Sequence, residues 1–273
     1  MTLELPSQPP QWHLGTTGLS FDDWVGPFYP PGTPSSKWLA FYARNFPCVE
    51  LNTTFYALPP AERIRQWVET VGPDFRFSAK VVKSISHDAP LSQAIDPFRR
   101  FVEGLQPFGP QLDVLLLQFP PGLSIGQLPA LERLLAARPD TPRLAVEFRC
   151  ASWIHPETEA LLARYGVAWV GLEHDDCPPM ARVMATTDFL YVRLVGKHGR
   201  FETESHELFD PTPELTVWRD RIQAAITPET RHVWVLFNND FAGHGPATLR
   251  RFAALAGIEL PAPPAVARQK RLF

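Results

Sequence analysis

Carboxylates, amides and cations collect at the ends of short apolar runs in this sequence. Glu50 sits in Cys48-Val49-Glu50-Leu51, Glu147 closes Leu144-Ala145-Val146-Glu147, and Asp240 follows Asn238 and Asn239 after the run 233–237. Carboxylates brought together by a fold suit two chemical tasks, a paired general acid and base or a ligand set for a hard divalent cation. A structural outcome competes with both: Glu147 can close an internal ion pair with Arg149 or Arg193. The pattern predicts Glu50 and Glu147 as acid and base, with Asp240 as a third catalytic carboxylate. Lysine usage adds Lys80. The chain has five lysines against 21 arginines, and Lys80, Lys83 and Lys197 all follow apolar runs. Burial readily lowers a lysine pKa, which makes a base or a Schiff-base nucleophile. Lys80 directly follows Phe75-Arg76-Phe77-Ser78-Ala79 and is the candidate for that role; Lys83 and Lys197 read as rim residues whose ammonium groups reach water.

Binding groups come from the same positions. Arg149 and Arg193, with Lys80, are expected to hold anionic charge, and Asn238, Asn239 and Asp240 to orient a substrate. Thr16, Asn52, Tyr56, His87, Gln118 and Trp153 complete the expected lining. His87, His174 and His244 are available, but no two stand at a metal-ligand spacing. No cofactor is predicted, and a divalent metal on Glu50, Glu147 and Asp240 stays open as the alternative.

The elements that must position these residues alternate along the chain. Apolar, strand-like runs fall at 12–15, 48–51, 75–79, 113–118, 144–148, 167–172, 189–194 and 233–237. Helical patterns follow them at 35–45, from Pro60 through Val71, and at 96–106, 126–137, 156–165, 179–185, 213–226 and 246–256. Eight strand–helix units in about 250 residues predict a single-domain (β/α)8 barrel. A doubly wound open sheet uses the same alternation, but the Gly-rich dinucleotide turn of that fold is missing. In a barrel the strand ends form one mouth, where the polar residues above would meet.

Composition fits one large soluble domain. The 273 residues are 45% hydrophobic and 20% charged, enough to bury a core. Twenty-six basic against 29 acidic residues argue against a whole-surface nucleic-acid or membrane binder. No apolar run is long enough for a membrane span. Cys48, Cys150 and Cys177 read as reduced thiols, so a cytoplasmic location is expected. Residues 1–11 read as a flexible Pro-rich arm, 12–259 as the barrel and 260–273 as a flexible Pro/Ala-rich tail.

Several motifs carry a resemblance. They are Gly15-Thr16-Thr17-Gly18, Phe28-Tyr29-Pro30, Glu50 to Tyr56, Phe75 to Lys80, Gln118-Phe119-Pro120-Pro121, Val146-Glu147-Phe148-Arg149 with Ser152-Trp153, Tyr191-Val192-Arg193, and Phe237 to Asp240. In this order they resemble the YecE-like family, domain-of-unknown-function family 72. The resemblance implies a TIM-like barrel and brings no established reaction. It has departures: Thr17 and Leu19 stand where Ser and an aromatic residue are usual, Val195 where a histidine is usual, and an Asn after the last strand is replaced near Thr248.

The last residues point elsewhere. Gln269-Lys270-Arg271-Leu272-Phe273 resembles the Gln-x-x-Leu-Phe peptide by which bacterial proteins dock on the DNA sliding clamp. Gln269, Leu272 and Phe273 would make that contact at the end of a Pro-rich tether. Three readings follow. The leading one is an enzyme acting on a small polar or anionic substrate, with hydrolytic acid–base chemistry at the barrel mouth and a Lys80 Schiff base as a variant. The others are a clamp-tethered, nucleic-acid-processing protein and a non-catalytic ligand-binding barrel.

Overall fold

A computed structural model of the chain describes residues 9–177 and 179–261. Nine parallel strand segments make one sheet: β1 Gln11–Thr17, β2 Cys48–Leu51, β3 Arg76–Lys80, β4 Leu112–Gln118, β5 Arg143–Glu147, β6 Ala168–Trp169, β7 Gly171–Glu173, β8 Phe189–Leu194 and β9 His232–Phe237. The sheet order is β6-β5-β4-β3-β2-β1-β9-β8-β7. Its two end segments are therefore consecutive in the chain, separated by Val170 alone. Ala168 and Trp169 pair with β5, Gly171 to Glu173 pair with β8, and the Val170 N–H still donates to the Val146 carbonyl at 3.0 Å. One strand of the expected eight thus changes partner half-way, and the sheet curls into a nearly closed barrel.

Strand alternation decides what fills it. Cys48, Val114, Leu116, Ala145, Ala168, Val170, Phe189, Tyr191, Trp234 and Leu236 pack together as an inner apolar cluster. Their neighbours Val49, Leu115, Leu117, Val146, Leu190 and Val235 belong to the larger core under the helices. Continuing the inner set by two residues toward the strand ends reaches Glu50, Gln118, Glu147, Arg193 and Asn238. The same step from Ser78 reaches Lys80. The pleat therefore sends this polar set up the inside of the barrel toward its C-terminal mouth.

Helices α1 Trp38–Tyr42, α2 Ala61–Thr70, α3 Lys83–Ser86, α4 Ile95–Gly104, α5 Leu128–Ala137, α6 Pro156–Arg164, α7 Thr212–Ala225, α8 Asn239–Ala242 and α9 Gly245–Ala256 follow the strands. Proline stands in the first turn of α5, α6, α7 and α9, where no intrahelical N–H bond is lost. The Pro-rich composition therefore starts helices rather than breaking them.

Three expectations are corrected. The helix over 35–45 begins as a 3-10 turn, Ser35–Lys37, and ends at Tyr42. No helix forms over 179–185. That stretch instead covers the barrel as irregular chain, burying Val183 and presenting the Met180 sulfur to the Leu172 N–H at 3.3 Å. Gln11, expected in the N-terminal arm, already belongs to β1 and donates its N–H to Arg231 O at 2.8 Å. Among the described residues no helix is long and apolar enough to cross a membrane. The tail residues Gln269, Leu272 and Phe273 lie outside the described residues.

Gly15 faces Cys48 across the β1–β2 pair, and a Cβ there would lie 2.4 Å from the Cys48 carbonyl oxygen. Gly15→Ala should cost about 1–3 kcal/mol in urea denaturation through overpacking. Adding Cys48→Ala removes the thiol at 2.7 Å but leaves the nearer carbonyl oxygen, so it should recover only part of the loss; full recovery would place the clash on the thiol alone.

Candidate functional site

Arg193, on β8, is almost fully buried and joins two carboxylates from across the barrel. Its Nε and Nη2 donate to the Glu50 carboxylate at 2.9 and 2.7 Å, a bidentate pair. Its Nη1 donates to Glu147 Oε2, while Arg149 Nε donates to Glu147 Oε1 at 2.5 Å. Tyr191 OH donates to Glu50 Oε2 at 2.9 Å, so the hydrogen bond between Ser78 and Tyr191, at 2.6 Å, has the serine as donor. Glu50 and Glu147 have no exposed surface. Burial alone would raise the Glu147 pKa, but Arg193, Arg149 and Lys80 overcome it and bring the pKa down to about 2. Arg193 is in turn pushed further up by the two carboxylates, against its own burial.

Above this floor, at the C-terminal mouth, lies a cavity of about 930 Å³. Arg193, Arg149 and Lys80 reach its wall; Glu50 and Glu147 do not. Burial, then the charge of Arg193, brings the Lys80 pKa down to about 8, with Glu147 and Glu50 opposing. Its Nζ lies 4.2 Å from the centre of the Phe55 ring. Among the described residues Lys80 has no carboxylate within ion-pair distance, whereas Lys83 pairs with Asp88 and Lys197 with Asp176, both at 3.3 Å on the exposed surface.

A second polar group lines the same cavity: Asn238, Asp240, His198 and Glu204. Asn238 caps α8, its side-chain oxygen accepting the Asp240 N–H at 3.0 Å and its amide donating to Thr17 Oγ1 at 2.7 Å. Asp240 accepts the Gly199 N–H at 3.0 Å and faces His198 Nδ1 at 3.4 Å. Gly196 makes this approach feasible, since its φ is positive and a Cβ would lie 2.2 Å from the Asp240 carbonyl oxygen. Burial and the nearby Asp240 raise the Glu204 pKa. Asn52 also lines the cavity, and its Oδ1 is buried without a partner among the described residues.

The structure thus brings together Lys80, Arg149, Arg193, Asn52, Tyr56, Asn238 and Asp240 on one cavity. It puts the other expected lining residues to work inside the fold. The Thr16 hydroxyl donates to Gly18 O at 2.6 Å and lies 2.8 Å from Tyr42 OH. Gln118 donates to Phe119 O, and Trp153 donates to Leu123 O while stacking on Phe148. Asn239 accepts from Trp24 Nε1 and the Gly245 N–H. His87 packs edge-on to Phe55 behind the wall. The three carboxylates considered for a metal do not converge; among the described residues no group of three or more His, Cys, Asp or Glu side chains is placed to hold an ion. Glu204 and His198 were not expected. Glu204 lies in a long irregular connection with no periodic signal. His198-Gly199, three residues beyond Val195, was the available hint for the other.

The family described as "Protein of unknown function DUF72" matches this chain over residues 13–271. The chain belongs to this family. UPF0759 protein YecE of Escherichia coli strain K12 is 39% identical over 116 residues, which take in 42% of this chain and 41% of YecE. UPF0759 protein YunF of Bacillus subtilis strain 168 is 27% identical over 276 residues, 90% of this chain and 95% of YunF. The crystal structure of the DUF72 family protein TM1631 from Thermotoga maritima MSB8 superposes with a TM-score of 0.74 at 28% identity, covering 90% of this chain and 99% of that one. The DUF72 family protein EF0366 from Enterococcus faecalis V583, at 21% identity and a TM-score of 0.71 over 94% of this chain and all of that one, shares the fold.

Two outcomes follow from the buried ion cluster. Arg193→Met leaves two buried carboxylates short of a partner and should cost about 3–5 kcal/mol in denaturant unfolding. The Glu147 contribution is fully present above its ordinary 4.5 and is lost as pH falls toward its folded value of about 2. Acid unfolding of the wild type should therefore show loss across that interval, and the loss should shrink in Arg193→Met. An equal acid loss in both proteins would show that Arg193 does not set it.

Proposed function

We propose that this protein is an enzyme acting on a small anionic substrate in the cavity at the barrel mouth, by hydrolytic acid–base chemistry. One observation carries the reading. Three cations, Arg193, Arg149 and Lys80, meet at the cavity wall, and the two carboxylates that partly neutralise them lie buried behind it. The cluster therefore has a formal excess of one positive charge, presented to the cavity from cationic side only. An anion entering there meets donors that are already desolvated and fixed in direction, which is where charge-assisted bonds are strongest.

In this reading Glu50 and Glu147 are positioning residues: they hold the guanidinium planes and have no surface from which to transfer a proton. Proton transfer falls to the carboxylates on the wall, Asp240 and Glu204. A raised pKa suits Glu204 to the acid role and leaves Asp240 to activate water as base. The unpartnered Asn52 Oδ1 offers an acceptor for a substrate hydroxyl or amide N–H. Asn238, fixed by its cap and by Thr17, presents little freedom and shapes the wall.

Inorganic phosphate and malonate should raise the melting temperature of the wild type. Arg149→Met should weaken either anion by about 10- to 100-fold, the value of a charge-assisted hydrogen bond. Unchanged affinity in that variant would remove the anion from this wall. In a hydrolysis screen over phosphate and carboxylate esters, Asp240→Asn should lower turnover by about 10²–10⁴-fold with the melting temperature kept. An anion that binds and is recovered intact across the screen would instead favour a non-catalytic binding barrel.

A further inference from the structure

Among the described residues Lys80 is the one lysine that lines the cavity, beside the guanidinium groups of Arg193, Arg149 and Arg63. Arg193 and Arg149 are engaged by carboxylates through directed hydrogen bonds, and guanidinium groups do not deprotonate in proteins. Lys80 ends β3 on the inner face of the barrel, its Nζ over the Phe55 ring, with no carboxylate in ion-pair reach among the described residues. An amine so placed has a face open to the cavity and neighbours that repel its charged form. We propose that Lys80 is a nucleophilic amine that condenses with the carbonyl group of a small anionic aldehyde or 2-oxo acid, while Arg149 and Arg193 hold the acid group. This rests on the anion-binding part of the reading above and goes beyond its hydrolytic part.

The chemistry balances within the site. The ammonium form loses its proton, and the neutral amine attacks the carbonyl carbon. The nitrogen of the adduct loses a second proton and the carbonyl oxygen takes up two, leaving as water when the C–N double bond forms. Ammonium plus carbonyl gives iminium plus water, with no net proton and no change in charge. The cationic floor that attracted the substrate is therefore unaltered when the iminium forms. Near neutral pH, an amine at about 8 rather than the ordinary 10.5 carries roughly 300-fold more of the reactive neutral form. Phe55 supplies an apolar and quadrupolar surface against which both the ammonium and the iminium cation can rest. Asp240 and Glu204, on the same cavity, are the groups available to shuttle the protons.

The full-length protein should be incubated with glyoxylate or pyruvate and reduced with cyanoborohydride, then read by intact mass and peptide mapping. One reduced adduct is expected, on Lys80, with the other four lysines unlabelled. Its rate of formation should rise with pH to a midpoint near 8. Excess malonate should suppress it. Lys80→Arg removes the amine and should lose the adduct. Labelling spread evenly over the lysines would overturn the proposal. So would the lack of an adduct on Lys80 in protein that malonate, glyoxylate or pyruvate demonstrably stabilises, which would leave the anion-binding reading standing. Neither stabilisation nor adduct would overturn both.

Discussion

The burial of Arg193 between Glu50 and Glu147 is the constraint around which the mouth of this barrel is organised. Taking a guanidinium and two carboxylates out of water costs several kcal/mol per ion, and the cost is offset only when geometry and the remaining hydrogen bonds are right. The barrel meets that condition with residues from several strands. β2 and β5 bring the carboxylates, β8 brings the arginine, and Tyr191 and Ser78 extend the chain of donors toward Glu50. Arg149, just past β5, takes the second oxygen of Glu147. A network of this kind fixes the relative placement of strands far apart in the sheet, because a small displacement would strand a buried charge.

The character of the cavity floor follows from how that network pairs its charges. The carboxylates most prominent in the sequence are used up as internal counter-ions and give the floor its shape. The part of the network that faces the cavity is cationic, and Lys80 is its member with no carboxylate in ion-pair reach among the described residues. Burial, together with the Arg193 charge, brings the pKa of its amine down to about 8. The second polar group, around Asp240 and Glu204, comes from the connections after β8 and β9 and is separate from the ion cluster. A cationic floor and a carboxylate rim thus meet on one cavity.

Membership of DUF72, with neighbours that share the barrel along nearly their full length, fixes the scaffold and leaves chemistry to be argued from side chains. The place where this chain departs from the pattern it resembles is instructive. Val195 stands in the position where a histidine is usual, yet His198 reaches the same cavity and meets Asp240. The intervening turn at Gly196 lets the chain pass close enough over Asp240 for this to happen.

The amino-acid sequence by itself determined the architecture and which end of the strands carries the polar residues. Apolar runs alternating with helical patterns, helix-starting prolines and strand-end polar residues are local signals, and local signals are legible without coordinates. The period of two along each strand even sorted the side chains, since Glu50, Lys80, Gln118, Glu147, Arg193 and Asn238 all continue the inner face. The failures were equally local: the stretch 179–185 has a helical spacing of apolar residues, but packing used it as irregular cover for the barrel. Only the tertiary structure decided which charges neutralise one another. Glu50 and Glu147 reach Arg193 across 143 and 46 residues of chain, and the pairing exists because the sheet curls until β2, β5 and β8 look into one interior. Sequence spacing places charges on a face, but burial and closure determine which of them are spent on each other and which are left for a ligand.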